Sequence, residues 1–104
     1  MMIARWSIDA RFGHKQAVID SLSTWRRDIG SEVGWTGDKV RIATDSIGVP
    51  ESTIELEVQV SGLEELNESW EKLGAIEAHK DWSKEIEPYV VSGTPKSTIF
   101  RVIK

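Results

Sequence analysis

The chain has 104 residues, no cysteine and a formal net charge of −4. The length fits one domain, residues 1–104, and leaves little room for a second. Without cysteine there is no disulfide, thiolate metal site or thiol nucleophile, and the acidic charge argues against a nucleic-acid partner. No apolar run approaches the roughly 20 residues that span a bilayer. The first residues lack the pattern of a signal peptide, so we expect a cytoplasmic protein with no membrane partner.

Alternating apolar and polar residues predict three strands in the first part of the chain. They cover Met2–Asp9, residues 39–45 and Thr53–Val60, and the last of these alternates most regularly. Between the first two, residues 14–30 predict a helix with one apolar side. The apolar residues of that side are Val18, Leu22, Trp25 and Ile29.

Two helices and a final strand are predicted in the second part. Ser61 and Glu64 have the spacing of a capping box, with Ser61 as the N-cap. The helix that follows is expected to end near Gly74, and its apolar residues are Leu63, Leu66, Trp70 and Leu73. A short helix is predicted from about Asp81, and a last strand over residues 96–103.

The order strand, helix, strand, strand, helix, helix, strand predicts the α+β class and a ferredoxin-like fold. In that fold the four strands form an antiparallel sheet with the first and third strands at its centre. The helices cover one face, and the other face is open to water in a monomer. A short chain gains burial by association, so we expect a homodimer that packs two such sheets into an α/β barrel.

The open sheet face is predicted to mix apolar and charged side chains. Its expected members are Ile3, Arg5, Lys39, Arg41, Ala43, Glu55, Glu57, Ile99, Arg101 and Ile103. Opposite charges on neighbouring strands stabilise strand pairing, which favours ion pairs within the sheet or between subunits. The alternative is that Arg5, Arg41 and Arg101 bind a small anionic ligand, since the guanidinium group suits carboxylate and phosphate.

The segment from Ser69 to Trp82 reads SWEKLGAIEAHKDW. Together with the element order, it resembles the dimeric α/β-barrel superfamily, which includes NIPSNAP-like proteins and proteins of the antibiotic-biosynthesis monooxygenase type. In many members a helical tryptophan is followed by a histidine that opens the next helix, and Trp70 and His79 occupy comparable places. The resemblance implies a pocket between sheet and helices near these two residues.

Heme-degrading and quinone-forming members of that superfamily often carry an asparagine in the pocket. The only asparagine in this chain is Asn67, early in a predicted helix. This departure argues against a monooxygenase, and no cofactor is expected.

His79 is the candidate catalytic residue, because an imidazole transfers protons near neutral pH and can also ligate heme iron. The alternative is a histidine at a helix start that is only hydrogen-bonded. Trp70 continues the apolar side of its helix and is expected in the core, although it can still form a pocket wall. Trp35 lies in a glycine-rich segment, where core or interface packing is favoured over covering a pocket. Both tryptophans are candidate ligand-binding residues.

Two histidines and no cysteine make a metal site unexpected. Three functions remain open at this stage. The first is a homodimeric protein that binds a small organic or anionic molecule. The second is a cofactor-independent monooxygenase or isomerase with His79 as base, and heme degradation is a narrower form of it. The third is a purely structural dimerisation module.

Overall fold

The computed structural model describes residues 1–103, which form four strands and three α-helices. The strands are β1 (Met2–Asp9), β2 (Val40–Thr44), β3 (Thr53–Val60) and β4 (Lys96–Arg101). The helices are α1 (Lys15–Asp28), α2 (Leu63–Ala75) and α3 (Glu77–Ile86). Short 3-10 turns lie at Gly30–Val33, Gly37–Lys39 and Glu87–Tyr89. Within residues 1–103 no helix has both the length and the apolar character needed to cross a membrane.

The sheet has the strand order β2-β3-β1-β4, and every neighbouring pair is antiparallel. This confirms the predicted ferredoxin-like fold, with the first and third strands in the centre. In the register of β1 with β3, Ala4 pairs with Val58 and Ile8 with Ile54. All four are buried, and they define the side of the sheet that we call the helix face. The opposite side is the open face.

The core lies between the helix face and the helices. The predicted apolar side of α1 is buried as expected, with Val18 and Leu22 almost fully enclosed. Val40, Ile54 and Leu66 complete the set of large, fully buried side chains. Burying one such side chain contributes about 1.5–3 kcal/mol, so this layer holds the sheet and helices together.

The start of α2 differs from the predicted capping box. Its N-cap is Gly62 and not Ser61, and no side chain caps it. The carboxylate of Glu65, not of Glu64, accepts a hydrogen bond from the backbone N–H of Ser61. Since Glu65 is the third residue of the helix, the acidic half of the motif is present but shifted by one position.

The third helix begins four residues earlier than predicted, at Glu77. A single extended residue, Ile76, separates it from α2, and the backbone N–H of His79 donates to the Ile76 carbonyl at 3.1 Å. His79 therefore lies in the first turn of α3. Pro88 falls in the 3-10 turn after α3, where it does not interrupt that helix.

The face assigned to the last strand was predicted wrongly. Ile99 pairs with Ala4, so Ile99 and Arg101 belong to the helix face. Phe100 pairs with Ile3 and takes their place on the open face. Each alternating set of β4 contains one apolar residue and polar neighbours, so the period of two does not distinguish them. The strand ends at Arg101, which leaves Ile103 beyond it and largely exposed.

Candidate functional site

A cavity of about 280 Å³ lies between the helix face and the helices. The chain has five tryptophans, and all five line this cavity. They come from β1, α1, the segment before β2, α2 and α3, and are Trp6, Trp25, Trp35, Trp70 and Trp82. We call this space the tryptophan cavity. Its wall combines aromatic rings with aliphatic side chains from β3 and the helices, such as Leu56 and Leu73.

The edge strand β4 supplies the more open side of the tryptophan cavity. Ser97 and Ile99 line it and are themselves exposed. In the register of β4 with β1, Ser97 stands opposite Trp6 and Ile99 opposite Ala4. The placement of Ile99 on the helix face therefore gives the cavity one of its walls.

Trp25 is the centre of the aromatic cluster. Its ring centroid lies 5.9 Å from that of Trp35, 5.8 Å from that of Trp82 and 5.9 Å from that of His79. Tilted aromatic pairs at such distances add about 0.5–1.5 kcal/mol beyond their burial. His79 also stacks on Trp82, with 6.2 Å between centroids and 17° between planes. The cluster thus fixes the histidine from two sides.

His79 accepts a hydrogen bond at Nδ1 from the indole N–H of Trp25, over 3.0 Å. Burial lowers the pKa of His79 below its usual value of 6.5, because a buried imidazolium loses hydration. His79 is therefore neutral at pH 7. It lines the tryptophan cavity, where the sequence predicts a pocket, and its catalytic role stays a prediction.

Trp70 does not belong to the core as expected, since it is 46% exposed. The side of α2 that faces inward buries Leu66, Ser69 and Leu73. The Ser69 hydroxyl donates to the backbone carbonyl of Glu65 at 3.1 Å, so its polar group is satisfied inside the helix. Trp70 instead lies beside the cavity, with part of its ring in the wall and part in solvent.

Trp35 is 95% buried, as packing in the core predicts, and it also lines the tryptophan cavity. It follows Gly34, whose φ of 86° lies in the left-handed region that favours glycine. The indole N–H of Trp35 is buried without a hydrogen-bond partner among residues 1–103. A buried donor of this kind costs about 1–3 kcal/mol, so the position is not optimised for stability alone.

The open face carries a row of charges on three adjacent strands. Arg41 on β2, Glu57 on β3 and Arg5 on β1 stand opposite one another in the register. Arg41 donates a short hydrogen bond to Glu57 Oε1. Arg5 Nε lies 3.3 Å from Glu57 Oε2 and 3.5 Å from Glu55 Oε1, but it is buried and makes no aligned hydrogen bond within residues 1–103. We call these four residues the charged row.

Glu57 is the best-buried member of the charged row, with a side chain only 10% exposed. The hydrogen bond from Arg41 lowers the pKa of Glu57, and the charges of Arg41 and Arg5 act in the same direction against the opposing effect of burial. Glu57 is thus ionised at pH 7. Arg101 does not join this row, because it lies on the other face.

The structure separates the residues that the sequence suggests for a site. His79, Trp70 and Trp35 line the tryptophan cavity, while Arg41 lies on the open face. Arg5 belongs to the charged row and also borders the cavity. Sequence reasoning did not assign Trp6, Trp25 and Trp82 to a ligand wall. The available signal was the number of tryptophans, since so many large rings must be enclosed in a core, pocket or interface.

Two further observations concern metal-ligating side chains and the position of Asn67. Within residues 1–103 no group of three His, Asp or Glu side chains is placed to hold a metal ion. Asn67 is exposed on α2 and is not among the residues that line the tryptophan cavity. The tryptophan cavity therefore has no asparagine of the kind that heme-degrading and quinone-forming members of the superfamily often carry.

The chain shares its fold with several solved structures. A NIPSNAP family protein of unknown function from Agrobacterium tumefaciens is 18% identical, with a TM-score of 0.76 over 100% of this chain and 89% of that chain. A candidate antibiotic biosynthesis monooxygenase from Deinococcus radiodurans is 11% identical, with a TM-score of 0.69 over 100% and 94%. Another, from Nitrosomonas europaea, is 8% identical, with a TM-score of 0.70 over all of both chains.

These neighbours confirm the resemblance in fold to NIPSNAP and antibiotic-biosynthesis-monooxygenase-like proteins. Identities this low show the fold and not the activity. The sequence matches no protein-family model, and no curated protein matches it at a significant level.

Proposed function

We propose that this protein is a homodimer that binds a small organic molecule in the tryptophan cavity. The observation that carries this proposal is the enclosure of one open space by all five tryptophans together with His79. Ligand pockets are typically concave and apolar, with few polar groups, and start near about 300 Å³. The volume of about 280 Å³ fits a small ligand.

An unfilled space of this size is also unfavourable for a purely structural module. Protein interiors pack densely, and voids between large side chains lose dispersion contacts. A protein selected only for dimerisation gains stability by filling the space. The retained cavity, with a buried donor at Trp35 that no residue in 1–103 satisfies, therefore supports binding over the structural function.

The binding proposal is tested with 1-anilinonaphthalene-8-sulfonate, a small aromatic probe. We expect the wild-type protein to bind it in a calorimetric titration. Ser97→Trp should weaken binding by tenfold or more, a loss of about 1.4 kcal/mol, because the new indole ring occupies space that the probe needs. Lys96→Trp is the matched control, because residue 96 precedes Ser97 and lies on the open face. Equal affinity of the two variants would contradict the proposal.

The homodimer is proposed to form through the open face. The charged row contains two arginines and two glutamates, so its charges balance, and Ile3, Ala43 and Phe100 add apolar area beside it. Phe100 is 51% exposed and lies 4.8 Å beneath the Arg5 guanidinium. A two-fold dimer places one patch against itself, and a neutral patch with exposed apolar side chains suits that arrangement.

Sedimentation equilibrium tests this part of the proposal. We expect a dimer for the wild type and a monomer for Phe100→Glu, which replaces an exposed apolar side chain of the proposed interface with a charge. Phe12→Glu is the control, because Phe12 is fully exposed in the turn after β1 and away from the open face. A dimer that resists Phe100→Glu, or a wild-type monomer, rejects the open face as the interface.

Cofactor-independent oxygenation is the second candidate function. The names of the Deinococcus and Nitrosomonas proteins, both candidate antibiotic biosynthesis monooxygenases, favour an oxygenase. It needs a base in the cavity, and His79 is the candidate. The Nδ1 lone pair of His79 is engaged by Trp25, so binding is the function that the geometry supports better. Turnover of an aromatic substrate that His79→Ala abolishes, while Trp70→Phe retains it, would establish the enzyme.

A further inference from the structure

The two ring nitrogens of His79 have different surroundings. Nδ1 accepts the hydrogen bond from Trp25 Nε1 at 3.0 Å. Nε2 makes no hydrogen bond within residues 1–103, and it is not among the buried polar atoms of that region that lack a partner. Nε2 is therefore accessible, on a side chain that lines the tryptophan cavity.

The identity of the Trp25 group decides where the proton of His79 lies. An indole nitrogen is only a donor, and a neutral imidazole carries one N–H and one lone pair. The lone pair must then be at Nδ1, where the indole N–H arrives, and the N–H must be at Nε2. The hydrogen bond that one ring nitrogen makes thus fixes the role of the other.

We propose that Trp25 is a positioning residue that holds His79 as the Nε2–H tautomer, so that the tryptophan cavity offers a hydrogen-bond donor and selects ligands with an acceptor oxygen or nitrogen. The ligand half of this inference rests on the proposed binding function. The tautomer half concerns the free protein and stands without any ligand.

The rest of the wall agrees with a neutral acceptor ligand. Its remaining polar side chains are those of Ser83, Ser97, Thr98 and Arg5. The Ser83 hydroxyl donates to the backbone carbonyl of His79 at 3.0 Å, and the charge of Arg5 is already paired with Glu55 and Glu57. No carboxylate lines the cavity in the part of the chain that the structure describes. A carbonyl oxygen or a pyridine-type nitrogen on an aromatic body therefore meets a donor and apolar walls, whereas a cationic group finds no counter-charge.

The tautomer is read from the nitrogen-15 spectrum of the His79 side chain, in which protonated and unprotonated ring nitrogens are distinct. At alkaline pH we expect Nε2 protonated and Nδ1 unprotonated in the wild type. Trp25→Phe keeps a ring but removes the donor, and should give a mixture of tautomers. Trp82→Phe is the matched control, because Trp82 stacks on His79 but its indole N–H donates to Ser21. A wild-type ring protonated at Nδ1, or an unchanged tautomer in Trp25→Phe, overturns the inference.

Ligand choice is measured with quinoline and naphthalene, which have the same shape but differ by one acceptor nitrogen. Titrations followed by the five indole N–H signals should show quinoline binding about three- to tenfold tighter, the range expected of one net hydrogen bond. In Trp25→Phe that preference should shrink towards equality. Equal binding of both probes by the wild type overturns the ligand half of the inference. If neither probe moves an indole signal, the binding function itself fails, and the tautomer result still decides the role of Trp25.

Discussion

The two faces of the sheet are built from the same strands but differ in packing and charge. On the helix face, tryptophans from five segments and His79 surround an unfilled space of about 280 Å³. On the open face, Arg5, Glu57 and Arg41 lie on three adjacent strands, and both arginines form ion pairs with Glu57. One face leaves room for a ligand and the other presents a closed set of ion pairs.

The structure shows which of the two faces has room for a ligand, and the sequence pattern alone does not. A charged strand face is easily taken for an anion site, yet Glu57 already occupies the space between the two arginines. An apolar helix side is easily taken for core, yet Trp70 is half exposed beside a cavity. The side chains of the helix face are therefore the better candidates for ligand contact.

The largest expected effect is at Glu57. Glu57→Ala leaves Arg5 and Arg41 facing each other without their shared carboxylate, and we expect the free energy of unfolding to fall by about 2 kcal/mol. Glu55→Ala is the control, since Glu55 forms an ion pair with Arg5 alone among residues 1–103 and is more exposed than Glu57. Urea unfolding measures both. Equal losses for the two variants would show that the charged row is ordinary solvated surface.

A reference ion pair outside both faces sharpens the comparison. Lys39 Nζ lies 2.6 Å from Glu65 Oε1. This hydrogen bond is the largest cause that lowers the pKa of Glu65 from 4.5 to about 2, and the hydrogen bond from the Ser61 backbone N–H is the second. Because the folded pKa is depressed, the stabilisation is complete above pH 4.5 and is lost as pH falls towards 2.

Glu65→Gln should remove that acid-dependent loss, at a cost near neutral pH of about 0.5–1 kcal/mol for a partly exposed pair. Glu64→Gln, one residue earlier in the same helical turn, is the control. Thermal melts between pH 2 and pH 6 measure the effect. A pH profile that is the same for both variants rejects the Lys39–Glu65 pair as its source.

On the helix face, His79 makes the stability depend on pH more weakly than Glu65 does, and at higher pH. Burial lowers its pKa below 6.5 in the folded chain, so the unfolded chain binds the proton more readily. The contribution of His79 is complete above pH 6.5 and declines as pH falls through the folded pKa. We expect His79→Gln to reduce the change in melting temperature between pH 5 and pH 7. His14→Gln, at the start of α1 and outside the cavity, is the control for removing an imidazole elsewhere in the chain.

The smallest effect is expected at Trp35. Trp35→Phe removes a buried donor that has no partner within residues 1–103, which offsets the loss of ring area. We expect the free energy of unfolding to change by less than about 0.5 kcal/mol, compared with the typical 3–5 kcal/mol for truncating a buried tryptophan to alanine. A loss of several kcal/mol on denaturant unfolding would show that the indole N–H has a partner in the native protein.

Much of the fold was predictable because burial repeats along the chain. The alternation of Thr53–Val60 and the spacing of Val18, Leu22 and Trp25 each identify one buried side. These elements form the sheet centre and α1 as predicted. Where the pattern was ambiguous, as in Lys96–Arg101, the face was assigned wrongly, since only pairing with β1 decides it.

The site was less predictable because it depends on contacts that no local pattern contains. Trp25 and His79 are 54 residues apart, and their hydrogen bond follows from how α1 packs on α3. The sequence placed both rings near the sheet but not against each other. The volume of the cavity depends on how all the surrounding side chains pack together, and the hydrophobic periodicity of the sequence does not predict it.

The concentration of every tryptophan around one space has an optical consequence. When the protein is excited at wavelengths that tyrosine does not absorb, its intrinsic fluorescence comes only from the tryptophans of the cavity wall. Trp25, Trp35 and Trp82 have ring centroids less than 6 Å apart in successive pairs, so excitation is shared among them before emission. A molecule that enters the cavity thus alters the light from the whole protein, and no label is needed to observe it.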